Sequence, residues 1–179
     1  MISVVAAVAL LVAPQDTTLS VIPKPAQMTR TAPPGVFELT PGTAIITDRS
    51  TYDIGIQLAD WLQPATGYRL AIVGSAGSGG RIISLRLDPA LTRLGDEGYR
   101  LTVTRNRITI RAYRPAGAFY GVQTLRQLFP PDIFREALVD SASWTVPSVE
   151  IEDMPRFQWR GAHLDVSRSF MPREFVKKY

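Results

Sequence analysis

The spacing of hydrophobic and polar residues changes along this chain, and each spacing predicts a different element of secondary structure. Short segments typical of β-strands lie at 36–39, 43–47, 69–73 and 81–87. Further along, apolar residues alternate with polar ones over 99–103 and again over 108–110, and Arg105-Asn106 between them supplies a tight turn. This arrangement predicts a β-hairpin.

A first helix is predicted over 51–62, where the apolar residues change to helical spacing. Ser50 or Thr51 can cap its start, and Pro64 and Gly67 are expected to end it. One face of this helix carries Ile54, Leu58, Trp61 and Leu62.

A second helix is predicted to begin at Pro115, which a first turn accepts, and to end before Pro130. Its apolar face carries Ala118, Val122, Leu125 and Phe129. Gly121 inside this helix costs about 1 kcal/mol relative to alanine, which suggests close packing against a neighbour. The order of strands and helices predicts an α+β domain over 19–150, in which one sheet is covered by two helices.

The composition excludes several kinds of site. The sequence has no cysteine, which removes disulfides, thiolate nucleophiles and cysteine-based metal sites. His163 is its single histidine, so a zinc site of two or three imidazoles cannot form within one copy. We therefore expect neither a metal nor a cofactor. A lone histidine usually packs as a hydrogen-bonded residue, and the alternative is that His163 lines a site.

The charge of the chain does not indicate a nucleic-acid partner. Lysine and arginine total 20 against 16 acidic residues, for a net charge of +4. The arginines are scattered along predicted strands and loops, without a helical cluster or interleaved aromatics. A charged, solvated surface is the better interpretation.

Residues 1–18 are interpreted as a signal peptide. The run 2–13 is rich in Ala, Val and Leu and is too short to span a bilayer as a helix. No basic residue precedes it, and a buried strand or helix is the alternative. The leader predicts a periplasmic or secreted protein, with no membrane contact beyond the leader itself.

Glycines 74, 77, 79 and 80 follow a predicted strand and raise the possibility of a phosphate-binding loop. Both standard forms of that loop need a helix next, because its N-terminal amides meet the phosphate. The next segment, 81–87, is predicted as a strand. A flexible loop between strands is therefore favoured.

Three carboxylates, Glu150, Glu152 and Asp153, lie close together in sequence. Paired carboxylates perform acid–base work only when they flank the reacting bond across a pocket. These residues precede a Met-Pro turn, and Asp153 is expected to fix that turn by bonding local backbone. No catalytic residue is assigned in this chain.

The last segment differs from the preceding domain. Residues 158–166 are predicted to form a buried strand, 167–171 a turn, and 172–179 the first turns of a helix. One strand and part of one helix are far from a complete (β/α)₈ barrel, which takes about 250 residues.

The stretch 153–172 reads Asp-Met-Pro-Arg-Phe-Gln-Trp-Arg-Gly-Ala-His-Leu-Asp-Val-Ser-Arg-Ser-Phe-Met-Pro. It resembles the entry into the catalytic barrel of glycoside hydrolase family 20. The stretches 21–25, 97–103, 108–112 and 116–128 resemble its accessory domain. The resemblance implies an accessory domain over 19–150, followed over 151–179 by the first β/α unit of an incomplete TIM barrel.

The family implies a retaining exo-β-N-acetylhexosaminidase that acts on glycans or chitooligosaccharides with a terminal N-acetylhexosamine. Its mechanism is substrate-assisted: the substrate's acetamido oxygen attacks, an aspartate orients it, and the adjacent glutamate is the general acid/base. That Asp-Glu pair belongs to a later barrel strand, and Asp96-Glu97 lies instead in an accessory-domain motif. The chain alone is therefore expected to be inactive.

One substrate-binding residue carries over by resemblance. Arg160, in Trp-Arg-Gly, matches the arginine that binds hydroxyls of the terminal sugar. A guanidinium suits this role because its fixed donors can hold two neighbouring hydroxyls. Ser169 stands where the family commonly has histidine, which marks a divergent member.

A second hypothesis is a non-catalytic carbohydrate-binding or interaction module formed by the α+β domain. It is disfavoured because the apolar segment 158–166 would then be an unpaired strand, which is an aggregation liability. A zinc peptidase is excluded because there is no second histidine.

Overall fold

The computed structural model describes residues 20–31, 33–75, 80–140 and 142–178. The predicted leader, 1–18, and the loop residues 76–79 lie outside these ranges. The elements in chain order are β1 (Gln27–Arg30), β2 (Val36–Glu38), β3 (Ala44–Ile46), α1 (Tyr52–Thr66), β4 (Ala71–Val73), β5 (Ile82–Leu87), β6 (Tyr99–Val103), β7 (Arg107–Ala112), α2 (Pro115–Leu128), β8 (Thr145–Pro147), β9 (Val149–Asp153) and α3 (Arg173–Lys178). Short 3₁₀ segments lie at Pro89–Leu94, which is kinked at Leu91, and at Pro131–Phe134.

Seven strands form one mixed sheet in the order β1-β9-β6-β7-β5-β3-β4. Neighbours among β4, β3, β5 and β7 pair in parallel, whereas β6 is antiparallel to β7 and β9, and β1 is antiparallel to β9. The predicted hairpin is confirmed by the pairing of β6 with β7. Strands β2 and β8 form a separate antiparallel pair.

Helices α1 and α2 contact each other and cover one face of the sheet, which confirms the predicted α+β layers. The residues that alternate inward along β6 and β7 are fully or almost fully buried, and they are Tyr99, Leu101, Val103, Ile108, Ile110 and Ala112. At Gly121 of α2, a Cβ atom would lie 2.6 Å from Cγ2 of Ile110 and 3.2 Å from the Tyr99 ring. This close approach confirms the packing reason expected for that glycine.

Helix α1 extends further than predicted, because Pro64 lies inside it and does not end it. A proline inside a helix removes one backbone hydrogen bond and crowds the carbonyl four residues earlier, and α1 accepts this disturbance in its last turn. The helix ends at Gly67, whose φ of 72° is left-handed and whose N–H donates to the Gln63 carbonyl at 2.7 Å. At the other end, the Thr51 hydroxyl donates to the Leu85 carbonyl at 3.2 Å and joins the helix to β5.

The face of the sheet opposite the helices carries charged residues in ion pairs. Glu152 of β9 accepts hydrogen bonds from Arg93 and Arg100, with Arg100 Nη2 at 2.7 Å from Oε2. The hydrogen bond from Arg93, followed by that from Arg100, lowers the pKa of Glu152 from 4.5 to about 2 despite partial burial. Arg111 and Asp88 form another pair on this face.

The predicted buried strand over 158–166 is wrong. No strand follows Asp153 within the described ranges, and the side chains of the segment are exposed or half-buried. Trp159 is 92% exposed. A strand stays buried only when other chain segments pair with its backbone and cover its side chains, and no described strand pairs with 158–166. The helix predicted over 172–179 is confirmed as the exposed helix α3.

No helix in the described part of the chain has the length and apolarity needed to cross a membrane. Among the same residues, no cluster of histidine and carboxylate side chains could hold a metal ion.

Candidate functional site

A cavity of about 350 Å³ lies where the chain leaves the sheet. One wall is helix α2, another is the segment 21–24 at the start of the described chain, and a third is the segment 153–160 that follows β9. Arg160, the predicted sugar-binding residue, lines this cavity. Its lining is mainly apolar, with a small number of hydroxyl and charged groups, as is typical of ligand pockets.

The guanidinium of Arg160 bonds to the α+β domain and to its own segment. Its Nη2 donates to Oε2 of Glu97 at 2.7 Å, and its Nη1 donates to the carbonyl of Phe157 at 2.7 Å. The hydrogen bond to Glu97, with a smaller contribution from Tyr120, raises the pKa of Arg160 above its ordinary value. Arg160 is therefore a fixed cation at the rim of the cavity, with donors left over for a ligand.

Tyr120 brings an aromatic surface to the same place. Its ring centroid lies 5.9 Å from the guanidinium carbon of Arg160, which is within the range of a cation–π contact. Its hydroxyl lies 3.5 Å from both Glu97 and Arg160. The ring also makes an edge contact with Phe119, which in turn contacts Trp61 of α1. A row of aromatic rings therefore leads from α1 to Arg160.

The floor of the cavity contains a buried hydroxyl pair. The Tyr99 hydroxyl lies 2.5 Å from the Thr124 hydroxyl and 3.4 Å from Oδ2 of Asp153. Burial raises the pKa of Tyr99 far above its ordinary value, against the lowering effect of Thr124. The phenol is therefore a neutral hydrogen-bonding group at all ordinary pH values.

The three neighbouring carboxylates near the end of β9 lie in different surroundings and do not form an acid–base pair. Glu150 is exposed on β9, Glu152 is held by two arginines on the outer face, and Asp153 lies at the cavity. Asp153 does not act as expected: it accepts a hydrogen bond from the amide of Ala26 at 2.9 Å. Its bonding therefore reaches a distant segment of the chain and not the turn that follows it.

The remaining candidates lie away from the cavity. His163 and Ser169 are exposed and are not among its lining residues. Gly74 and Gly80 flank the loop between β4 and β5, and β5 is confirmed as a strand, so the helix required for phosphate binding does not follow.

Sequence reasoning missed Glu97 and Tyr120 as partners of Arg160. Both residues lie in stretches that resemble the accessory domain, but their separation from Arg160 in sequence is 63 and 40 residues. Only the fold brings them together. The local sequence offered one indication that Glu97 could have a role, namely a charged residue between a turn and a buried strand.

Residues 18–154 match Glycosyl hydrolase family 20, domain 2. A β-hexosaminidase of Porphyromonas gingivalis is 36% identical over 167 residues, which is 92% of this chain and 21% of that protein. A β-N-acetylhexosaminidase of Cellulomonas fimi is 33% identical over 161 residues, 89% of this chain and 31% of that protein. The chain therefore spans less than a third of these relatives.

Solved structures give the same result. The N-acetyl-β-hexosaminidase of Streptomyces plicatus in complex with Thio-NAglucal has a TM-score of 0.74 and 43% identity, over 89% of this chain and 31% of that one. The family 20 exo-β-N-acetylglucosaminidase of Vibrio harveyi, in complex with N-acetylglucosamine, has a TM-score of 0.61 and 29% identity. The match covers 88% of this chain and 22% of that one. This chain belongs to glycosyl hydrolase family 20, and it carries domain 2 of that family.

Proposed function

We propose that this chain is the N-terminal part of an exo-acting, retaining β-N-acetylhexosaminidase, which removes terminal N-acetylhexosamine from glycans or chitooligosaccharides. The observation that carries the proposal is the match of residues 18–154 to domain 2 of family 20. The relatives named as hexosaminidases are several times longer than this chain. The activity is therefore assigned to a longer polypeptide, and residues 1–179 alone are expected to be inactive.

Within this proposal, residues 19–150 form the accessory domain and residues 151–179 begin the catalytic barrel. A match that covers 92% of the chain must extend beyond residue 154, even if it starts at Met1. The large apolar side chains of this segment, Phe157, Trp159 and Phe170, are 70–92% exposed. Such exposure suits a segment that packs against further strands and helices of a barrel.

The proposed chemistry is substrate-assisted. The carbonyl oxygen of the acetamido group attacks the anomeric carbon, while a glutamic acid protonates the departing glycosidic oxygen. Water then attacks the same carbon and gives a proton back to the glutamate, which restores the acetamido group with retention of configuration. The acid and the orienting aspartate are assigned to a later barrel strand outside residues 1–179, because the Asp96-Glu97 dipeptide lies in a stretch that resembles the accessory domain.

Arg160 is the residue of this chain to which we assign a contact with the sugar. Its guanidinium stays protonated and presents donors in a fixed plane, so it can hold two adjacent hydroxyls. The support is its place on the cavity rim together with the match of Trp-Arg-Gly to the family. A sugar at this position would compete with Glu97 for the donors of Nη2.

Steady-state kinetics of the protein encoded by the complete open reading frame test this function, with 4-nitrophenyl N-acetyl-β-D-glucosaminide as substrate. Arg160→Ala and Arg160→Lys are each expected to lower kcat/KM, by about 10- to 100-fold for the alanine variant. Arg135→Ala is the matched control, because Arg135 is exposed and pairs only locally with Asp132. Absence of hydrolysis by the unaltered protein would refute the proposed function.

A second candidate is carbohydrate binding by this chain without catalysis. The observation in its favour is that a cavity of about 350 Å³ beside Arg160 is formed by residues of this chain alone. Calorimetric titration with N-acetylglucosamine tests it. Binding by residues 1–179 that Arg160→Ala abolishes would support this candidate, and the absence of heat would count against it.

We also propose that the protein is exported to the periplasm or secreted, on the strength of the apolar segment 2–13. Fusion of residues 1–18 to a reporter that is active only after export tests this.

A further inference from the structure

We propose that Asp153 is a positioning residue, which fixes where and in which direction the chain leaves the sheet toward Arg160. This inference rests on the proposed function of Arg160. Asp153 is the last residue of β9, and Arg160 follows seven positions later along a segment with no strand or helix. Among the described residues, the placement of Arg160 relative to the accessory domain depends on how this segment is held at its two ends.

The carboxylate of Asp153 joins two separate parts of the domain. Oδ1 accepts from the amide of Ala26, which precedes β1, at 2.9 Å. Oδ2 accepts from the Tyr99 hydroxyl of β6 at 3.4 Å, and that hydroxyl lies 2.5 Å from Thr124 of α2. Both oxygens are thus used, and the start of the described chain, the sheet and the helix meet at one side chain.

The groups that hold Asp153 are themselves fixed. Tyr99 is only 2% exposed and lies directly opposite Asp153 in the register of β6 and β9. Beside it, the segment before β1 is tied to α2, because Gln127 donates to the Ile22 carbonyl and accepts from the Ile22 amide, both at 2.9 Å. The junction is consequently rigid before any ligand arrives, as preorganisation of a binding residue requires.

Within the part of the chain that the structure describes, few other contacts hold the segment beyond Asp153. Pro155 fixes its own φ and has no amide to donate. The side chains from Met154 to Arg160 are exposed. The second fixed point is Arg160, which bonds to Glu97 and contacts Tyr120. If Asp153 loses its bonds, the direction of the segment is set at one end only, and Arg160 is presented less precisely.

Asparagine is an informative replacement at this position. An amide has a single acceptor oxygen, so it can keep the bond from Ala26 and turn its NH₂ toward Tyr99. The Tyr99 hydroxyl can then accept from that NH₂ while it donates to Thr124. Asp153→Asn is therefore expected to recover most of what Asp153→Ala loses, and Tyr99→Phe is expected to act in the same direction as Asp153→Ala.

The first experiment uses residues 1–179 and does not depend on enzymatic activity. Backbone ¹⁵N order parameters of residues 157–160 are expected at about 0.8 in the unaltered chain and below about 0.6 in Asp153→Ala. A smaller fall is expected in Tyr99→Phe, which leaves the bond from Ala26 to Asp153 in place. Glu150→Gln on the same strand is the control and should leave them unchanged. Unchanged order parameters in Asp153→Ala would overturn the proposal. Should Asp153→Ala not fold, Asp153→Ser, whose shorter side chain also loses the carboxylate, takes its place.

The second experiment uses the protein of the complete open reading frame and separates positioning from a loss of folded enzyme. Asp153→Ala is expected to raise KM for the 4-nitrophenyl substrate by about threefold to tenfold with little change in kcat, and Asp153→Asn should restore KM. A fall in kcat alone, with KM unchanged, would contradict positioning. If that protein hydrolyses nothing, the proposed function fails, while the order parameters still decide whether Asp153 orders the segment.

Discussion

Nη2 of Arg160 lies 2.7 Å from Oε2 of Glu97, and the two residues are 63 positions apart. With the weaker contacts between Arg160 and Tyr120, this ion pair holds the far end of the described segment beyond Pro155 to the α+β domain. Both side chains remain more than a third exposed. The pair therefore orders the segment without adding much to the stability of the domain.

Glu97→Gln is expected to loosen the segment and leave the domain intact. The substitution removes the charge that holds the guanidinium, and an exposed ion pair contributes little to unfolding. Order parameters of residues 157–160 should fall, while the melting temperature should change by less than about 2 °C. Glu38→Gln, which breaks the exposed pair with Arg81, is the matched control. A large drop in melting temperature would show that Glu97 has a structural role in the domain.

Glu152→Gln is expected to lower the free energy of unfolding at neutral pH by about 1 kcal/mol. Glu152 is 15% exposed and receives bonds from two arginines. Its folded-state pKa, about 2, lies below the ordinary value of 4.5. The contribution of this carboxylate is thus complete above pH 4.5 and is lost as the pH falls through about 2.

Urea denaturation of the unaltered chain and of Glu152→Gln, repeated from pH 7 down to pH 2, measures this difference. The two stabilities should converge as the pH falls. A difference that stays constant across this range would mean that the effect of Glu152 is packing and not charge.

Gly121→Ala is expected to destabilise the domain by about 1–3 kcal/mol. A Cβ atom there would lie 2.6 Å from Cγ2 of Ile110, in a well-packed layer between α2 and the sheet. This overcrowding exceeds the gain of about 1 kcal/mol that alanine offers in a helix. Gly161→Ala is the control, because a Cβ there meets nothing within 4 Å. A midpoint in urea that rises in Gly121→Ala would contradict the close packing described for α2.

The sequence predicted the elements whose periodicity is strong and failed where an element depends on distant partners. Helices α1 and α2 and the hairpin of β6 and β7 have long apolar patterns, and the structure confirms all three elements. Strand β1 was not predicted, because Met28 is its only large apolar residue and its conformation comes from pairing with β9. Strand β9 was not predicted, because its apolar pattern consists of only Val149 and Ile151, which alternate with glutamates and are buried.

The error over 158–166 has the opposite origin. An apolar pattern predicts burial only when some other part of the structure covers it, and no local signal reports whether that cover is present. The same limit applies to the cavity. The resemblance indicated Arg160, but Glu97, Tyr120 and Asp153 acquire their relation to it only through the fold.

The most direct test of this account is a crystal structure of the protein of the complete open reading frame with N-acetylglucosamine bound. The account predicts that the guanidinium nitrogens of Arg160 lie about 3 Å from two hydroxyl oxygens of the sugar, that Nη2 has left Glu97, and that Asp153 still bonds to Ala26 and Tyr99. A sugar bound elsewhere, with Arg160 still paired to Glu97, would contradict it.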